Sequence, residues 1–317
     1  MKNFKTPILF LVFNRPKETK QVFEIIRKIK PRRLFVAADG PRIDKKNENE
    51  ICNHVRELAT SIDWDCELVT LFRERNLGCK YAVSSAINWF FEQVDEGIIL
   101  EDDCLPELSF FLYCEVLLKK YKSNEEVMHI SGANLNDDLK FGDGTYFYSN
   151  YPNIWGWATW KRAWKKYDLE LENTAFYSRL IKSTFKFQSE RTFWKSRIEL
   201  LRTKGLDTWD YQWMFSIWKE KGICLNSNYN LVENIGFGNN STHTKNKNPY
   251  LTPKTNQIVK VIHPSKFRIL ENAEIEFIST LHGLKRMRDF EYYLDKYFFQ
   301  RCRNLFHKIK LKRTKLD

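Results

Sequence analysis

No stretch of this 317-residue chain approaches the eighteen or so consecutive apolar residues that a membrane-spanning helix needs, so it does not read as an integral membrane protein. The early apolar run from Ile8 to Phe13 is six residues long, too short for a signal-peptide core, and reads as a buried strand. Seven cysteines are scattered without a Cys-x-x-Cys pair or zinc-type spacing. An odd number argues against a closed disulfide framework and suits a reducing cytosol. Neither Gly-x-Gly-x-x-Gly nor Gly-x-x-x-x-Gly-Lys-Ser/Thr stands at any strand-to-helix turn, which disfavours phosphates cradled on a helix N-terminus. Internal repeats and low-complexity linkers are missing too.

With 43% hydrophobic and 15% aromatic residues, the chain can bury a large core. Its net charge of +12 is uneven: from Lys285 onward eleven Lys and Arg face only Asp289, Glu291, Asp295 and Asp317. A basic, aromatic-rich helical tail suits either an interfacial helix on an anionic membrane surface or a helix packed on the body with a solvated basic face. Nucleic acid is the weaker partner, because the positive charge is concentrated in the tail rather than along the aromatic first half. The expected location is cytoplasmic, with peripheral attachment to the inner face of the plasma membrane through that tail.

The first hundred residues alternate strand and helix patterns. Strands are expected at Pro7 to Phe13, Arg33 to Ala38, Cys66 to Phe72 and Gly97 to Leu100, with helices at Lys17 to Ile29, Lys45 to Thr60 and Ala82 to Val94. Apolar strands in β-α-β order imply an α/β fold with a mainly parallel sheet covered by helices, whose ligands bind beyond the carboxyl ends of the strands. Beyond Pro106 a helix is expected from Leu108 to Tyr121 and a strand at Met128 to Ile130, followed by a polar loop from Asn134 to Asn150. A tryptophan-rich segment begins at Trp155, Phe176 to Thr203 reads as helical, and a further helix opens at Trp209. A strand at Ile223 to Leu225 precedes a glycine- and asparagine-rich loop from Asn234 to His243. The expected organisation is a catalytic domain at 1–250, with a nucleotide-binding half at 1–105 and an acceptor half at 106–250, then a basic helical extension at 251–317.

The fourth strand ends in Glu101-Asp102-Asp103. Three adjacent carboxylates repel one another, and a divalent cation with oxygen preference would compensate them. Strand alternation would set Glu101 and Asp103 on one face and Asp102 on the other. The other three strands lead into Asn14-Arg15-Pro16, Asp39-Gly40-Pro41-Arg42 and Arg73 to Lys80, so cations and carboxylates gather on one edge. That mixture suits an anionic, nucleotide-like ligand carrying a metal.

Taken together, Asn-Arg-Pro, Ala-Asp-Gly, Ile-Ile-Leu-Glu-Asp-Asp-Cys-Leu-Pro, Trp155-Gly156-Trp157, Trp209-Asp210 with Trp213-Met214, and Gly236-Phe237-Gly238 resemble GT-A glycosyltransferases. They are most similar to the N-acetylglucosaminyltransferase I type, and to bacterial nucleotide-diphospho-sugar transferases, over roughly residues 6 to 245. The resemblance implies that Asp103 binds Mn²⁺ or Mg²⁺, with Glu101 and Asp102 near the ribose and donor sugar. It implies that Arg15 and Asp39 contact the nucleotide, Asp39 at the base, and that Lys80 stands where the relative has a histidine near the base. Asp210 would be the catalytic base, although Tyr211 and Gln212 follow where the relative has a second carboxylate.

Other roles rest on residue type. Trp155, Trp157 and Trp209 would either pack a core or stack on a donor or acceptor sugar. His243 would be a surface histidine or a further ligand of phosphate or metal, and Asp210 could instead cap its helix. These readings converge on a metal-dependent, inverting glycosyltransferase. It would move a sugar from a nucleotide-diphosphate donor, a UDP-sugar first, to a hydroxyl of a glycan or lipid-linked acceptor. A sugar-1-phosphate nucleotidyltransferase and a non-enzymatic basic membrane- or RNA-binding module are the rivals.

Overall fold

The computed structural model describes residues 4–135, 139–203, 205–236 and 254–282. Its first half follows the expected alternation. Strands β1 (Ile8–Val12), β2 (Arg33–Ala38), β3 (Glu67–Phe72) and β4 (Glu96–Glu101) are connected by helices α1 (Pro16–Ile29), α2 (Glu48–Ala59) and α3 (Gly78–Gln93). The inner strands β1, β2 and β4 are apolar along their middles because both faces are covered, whereas β3 at the sheet edge stays partly exposed. Ile8, Phe10 and Val12 pack with Val22 and Ile26 of α1 on one side, while Leu9 and Leu11 meet Ile87 and Phe90 of α3 on the other.

The second half adds β5 (Cys104–Pro106), α4 (Leu108–Lys120), β6 (Val127–Ser131), β7 (Tyr146–Ser149), β8 (Trp157–Trp160), α5 (Lys161–Trp164), α6 (Thr174–Thr184), α7 (Gln188–Thr203), α8 (Asp210–Lys219), β9 (Ile223–Ser227), β10 (Val232–Asn234) and α9 (Glu271–His282). Eight strands form one sheet in the order β3-β2-β1-β4-β8-β6-β9-β7, in which only β8 and β7 run against the rest.

Three sequence expectations change here. The end of the supposed polar loop, Tyr146–Ser149, is the edge strand β7. The tryptophan-rich segment holds a central strand, with Ile99 opposite Trp157 and Glu96 opposite Trp160. Alternation sends Trp157 into one core and Ala158 and Trp160 into the other, so the aromatic cluster is divided by the sheet. The long helical stretch from Phe176 is also two helices, α6 and α7, parted around Phe185 to Phe187.

The expected boundary at residue 250 does not separate two bodies among the described residues. The Thr145 N–H donates to the Ile262 carbonyl (2.9 Å), and Phe267 packs on Tyr148 at 4.6 Å between ring centroids. Ala273 is buried, and Glu274 accepts from Ser149 Oγ (2.6 Å) and Asn150 Nδ2 (2.9 Å). Residues 254–276 thus belong to the main body, whereas the basic tail from 283 and His243 lie outside the described residues. No described helix is long and apolar enough to cross a membrane. The described cysteines are all free.

Candidate active site

The chain leaves β1 in one direction to build β2 and β3, then returns to place β4 on the other side of β1. Such a switch point opens a crevice beyond the strand ends, since the two crossovers diverge there. A cavity of about 610 Å³ occupies it, lined by Arg15, Asp39, Glu101, Asp102, Asp103 and Asp210 among others.

Register aligns Leu11 with Glu101, so the chain just beyond β1 runs beside the acidic turn, and the Phe13 N–H donates to Asp102 Oδ2 (3.2 Å). Arg15 follows at once. Its Nη1 bridges Asp102 Oδ1 (3.3 Å) and Asp103 Oδ2 (2.6 Å). The expected alternation of the acidic triplet fails because β4 ends at Glu101 and Asp102-Asp103 form a turn, which lets both carboxylates reach one guanidinium. Burial first, then Asp103, Asp102 and Asp210, push the Glu101 carboxyl well above its ordinary value, with Arg15 opposing. Burial and Asp103 likewise raise Asp102. One guanidinium therefore under-compensates the carboxylates around it, and this wall favours an added cation.

The small sheet β5-β10 closes the site from the other side. The Ile235 N–H donates to the Asp103 carbonyl (2.8 Å), and a Cβ on Gly236 would lie 2.3 Å from Asp103 Oδ2. Only glycine allows the backbone to approach that carboxylate so closely. Among the described residues no group of three ligating side chains converges on one point. The donor set fits a hard cation held by one or two carboxylate oxygens and completed by a ligand's phosphates and water, rather than an all-protein cage.

Asp39 lies at the carboxyl end of β2. Its oxygens accept from the Gly40 N–H (2.9 Å), the Leu77 N–H (3.0 Å) and Asn76 Nδ2 (2.8 Å). Asp39 therefore ties β2 to the loop before α3, and burial raises its carboxyl above the ordinary value despite those donors. Next to it Glu48 holds Arg42 and accepts from Asn14 Nδ2 (2.9 Å), with Arg42 lying 5.5 Å from the centre of the Phe13 ring. Arg42 and Arg73 also line the cavity.

The opposite wall comes from residues 206–211. Asp207 accepts from the Cys79 N–H (2.8 Å) and the Lys80 N–H (2.7 Å), latching this segment to the free N–H groups at the start of α3. Gly78 makes room with φ of +77°, since a Cβ there would lie 2.7 Å from Asp207 Oδ2. Asp210 is the first residue of α8, not its cap, and it accepts from the Thr208 hydroxyl.

Beneath it lies an aromatic stack. Trp209 lies on Trp157 (5.5 Å) and Trp157 on His129 (5.0 Å). Trp213 Nε1 donates to His129 Nδ1 (3.1 Å), leaving His129 Nε2 to donate to the Asn153 carbonyl (3.0 Å). Burial lowers His129 to about 3, so its ring is neutral.

Of the expected site residues, Arg15, Asp39, Glu101, Asp102, Asp103, Trp155, Trp209 and Asp210 share the one cavity. Two do not. Trp157 is fully buried in the stack, with no face left for a sugar, and Trp209 is 1% exposed, so both tryptophans pack rather than bind. Half-buried Trp155 remains on the wall. Lys80 lies outside the cavity lining because Glu170 holds its ammonium at 3.0 Å. Arg42 and Arg73 stand on the ligand edge that the sequence marked, whereas Arg197 and the latching role of Asp207 escaped the sequence reading, since both are placed by contacts distant in the chain.

No family model matches the sequence, and no curated protein matches it either. Among solved structures, the chain is similar to UDP-glucose pyrophosphorylase complexed with UDP-glucose. That match has 8% identity and a TM-score of 0.37, covering 71% of this chain and 93% of that one. A second is mouse xyloside xylosyltransferase 1, with 9% identity and a TM-score of 0.35 over 67% and 81% of the two chains. A third is HddC from Yersinia pseudotuberculosis, with 12% identity and a TM-score of 0.35 over 53% and 84%. At such distances the function rests on the geometry of the cavity itself.

Proposed function

We propose that the protein is a glycosyltransferase that moves a sugar from a nucleotide-diphosphate donor, a UDP-sugar first, to an acceptor hydroxyl with inversion. The observation that carries this reading is the meeting, across one cavity at the switch point, of the Arg15–Asp102–Asp103 cluster and Asp210. A cavity of about 610 Å³ suits a ligand of nucleotide-sugar size. Asp103 would hold Mn²⁺ or Mg²⁺, which when bound neutralises charge on a leaving diphosphate. Glu101 and Asp102 stand beside it for the ribose and donor sugar, and Asp39 with Arg15 for the nucleotide. Asp210 takes the proton of the acceptor hydroxyl as the new C1–O bond forms and the C1–O–phosphate bond breaks. Trp155 offers a face to the donor or acceptor sugar.

Nucleotidyl transfer is less well supported. The first turn of α1 begins with Pro16, which has no N–H to give a phosphate, and β1 is followed by no glycine loop. A basic binding module is less well supported still, because the cavity lining carries six carboxylates against four arginines. The acceptor is read as a glycan or lipid-linked chain, with the basic tail on an anionic membrane; truncation at Glu276 should then abolish liposome co-sedimentation. Titration calorimetry of UDP with and without Mg²⁺ or Mn²⁺ tests the donor site. Affinity should depend on the cation and on Asp103, and equal affinity in chelator would remove the metal from the account.

A further inference from the structure

The acceptor side of the cavity holds a cation that the proposed reaction does not use. Among the lining residues from the second half of the chain, Arg197 is the only Lys or Arg. Its position is set by packing: Trp194, one turn earlier on α7, is fully buried against Trp218 (4.8 Å) and Tyr211 (6.2 Å). The Arg197 guanidinium lies over Phe193 at 4.6 Å. Tyr211, next to Asp210, feels it directly: burial and Asp210 raise the phenol's proton affinity, and Arg197 pulls it down. Arg197, Tyr211 and Asp210 are therefore one neighbourhood.

Charge is left over there. The other lining arginines are engaged: Arg15 with Asp102 and Asp103, Arg42 with Glu48, and Arg73 with Ser85 Oγ (2.7 Å). Arg197 has no carboxylate within ion-pair distance among the described residues, and its buried Nε has no hydrogen-bond partner there. A buried guanidinium N–H without an acceptor is unfavourable, and a planar fork of donors matches a carboxylate or phosphate two atoms at a time.

We propose that Arg197, with Tyr211, recognises an anionic group on the acceptor, so that the enzyme glycosylates an acidic acceptor. This rests on the reading of Asp210 as the acceptor-side base. The shared chemistry is an oxyanion, either a sugar carboxylate or a phosphate monoester.

The test uses the full-length protein saturated with UDP and Mg²⁺, with glucuronate, inorganic phosphate and neutral methyl glucoside as probes. The Arg197 Nε–H resonance and calorimetry are read together. At least one anion should bind saturably and shift that resonance, with an affinity tenfold or more above that of the neutral glucoside. Arg197→Gln should remove the advantage, and Arg197→Lys, which keeps the charge over Phe193, should retain part of it. UDP affinity should stay unchanged in both variants. Preference for glucuronate assigns the carboxylate, and preference for phosphate the monoester. No saturable anion binding, or binding that survives Arg197→Gln, overturns the proposal while leaving the donor site standing. A fall in UDP affinity in Arg197→Gln would give the residue to the donor and also overturn it. Failure of the wild-type protein to bind UDP at all would sink the donor reading and this inference together.

Discussion

Removing the Asp207 carboxylate should loosen the two halves of the cavity from each other, and its cost follows from the contacts. In Asp207→Ala the N–H groups of Cys79 and Lys80 lose their acceptor. Leu77, at the N-cap position of α3, has no side-chain capping bond to replace it. Losing a side-chain cap costs about 0.5–2 kcal/mol, and losing a negative charge at a helix start adds about 0.3–1 kcal/mol. Asp207 is solvent-exposed, so we expect the lower part of that sum, about 1–2 kcal/mol. At roughly 2–4 °C per kcal/mol for a large domain, the melting temperature should fall by several degrees. A double-mutant cycle sharpens the test. Gly78→Ala drives a methyl to 2.7 Å from Asp207 Oδ2, so its cost should shrink by at least about 0.5 kcal/mol once that carboxylate is gone. Melting of the four proteins, with urea unfolding for the free energies, measures both quantities. If Asp207→Ala melts with the wild type, or the two changes add without coupling, the latch is not what holds residues 206–211 against α3.

Asp210→Asn keeps size and shape but removes the proton acceptor, so turnover should fall by about 10²–10⁴-fold with donor affinity little changed. An α-linked donor should give a β-linked product, read from the anomeric proton; near-normal turnover or a retained configuration would discard the base. Gly236→Ala sets a methyl against the Asp103 carboxylate and should weaken Mg²⁺-dependent UDP binding by on the order of tenfold, checked by calorimetry. His129 titrates near its ordinary 6.5 when unfolded but at about 3 when folded. The stability it confers as a neutral ring is thus present above pH 6.5 and lost as pH falls, by about 2 kcal/mol between pH 7 and pH 5. Urea unfolding of wild type and His129→Gln at both pH values should show their difference shrinking by that amount at pH 5, and a constant difference would contradict the neutral, buried ring.

The first half of the fold was legible because its inner strands β1, β2 and β4 are buried on both faces and its helices carry apolar residues at helical spacing, as Val22, Phe23, Ile26 and Ile29 do. The ligand edge followed from what stands after each strand. The tryptophans misled for a physical reason. Trp157 lies in a four-residue central strand, too short for a period to show, and burial by strands and helices far along the chain decides its role. Lys80 misled similarly, because its partner Glu170 lies 90 residues away. Arg197 had no local signal at all, being one basic residue on a helix with several, and only the packing of Trp194 turns it to the cavity wall.

The most direct test of the account is phosphorus NMR of the full-length protein incubated with a panel of nucleotide sugars and Mg²⁺, in wild type and Asp103→Ala. The account predicts that one nucleotide sugar yields an intact nucleoside diphosphate, that added pyrophosphate produces no nucleoside triphosphate, and that Asp103→Ala stops the reaction while the fold persists. Formation of nucleoside triphosphate and sugar 1-phosphate from added pyrophosphate, or diphosphate release that is indifferent to Asp103, would contradict it.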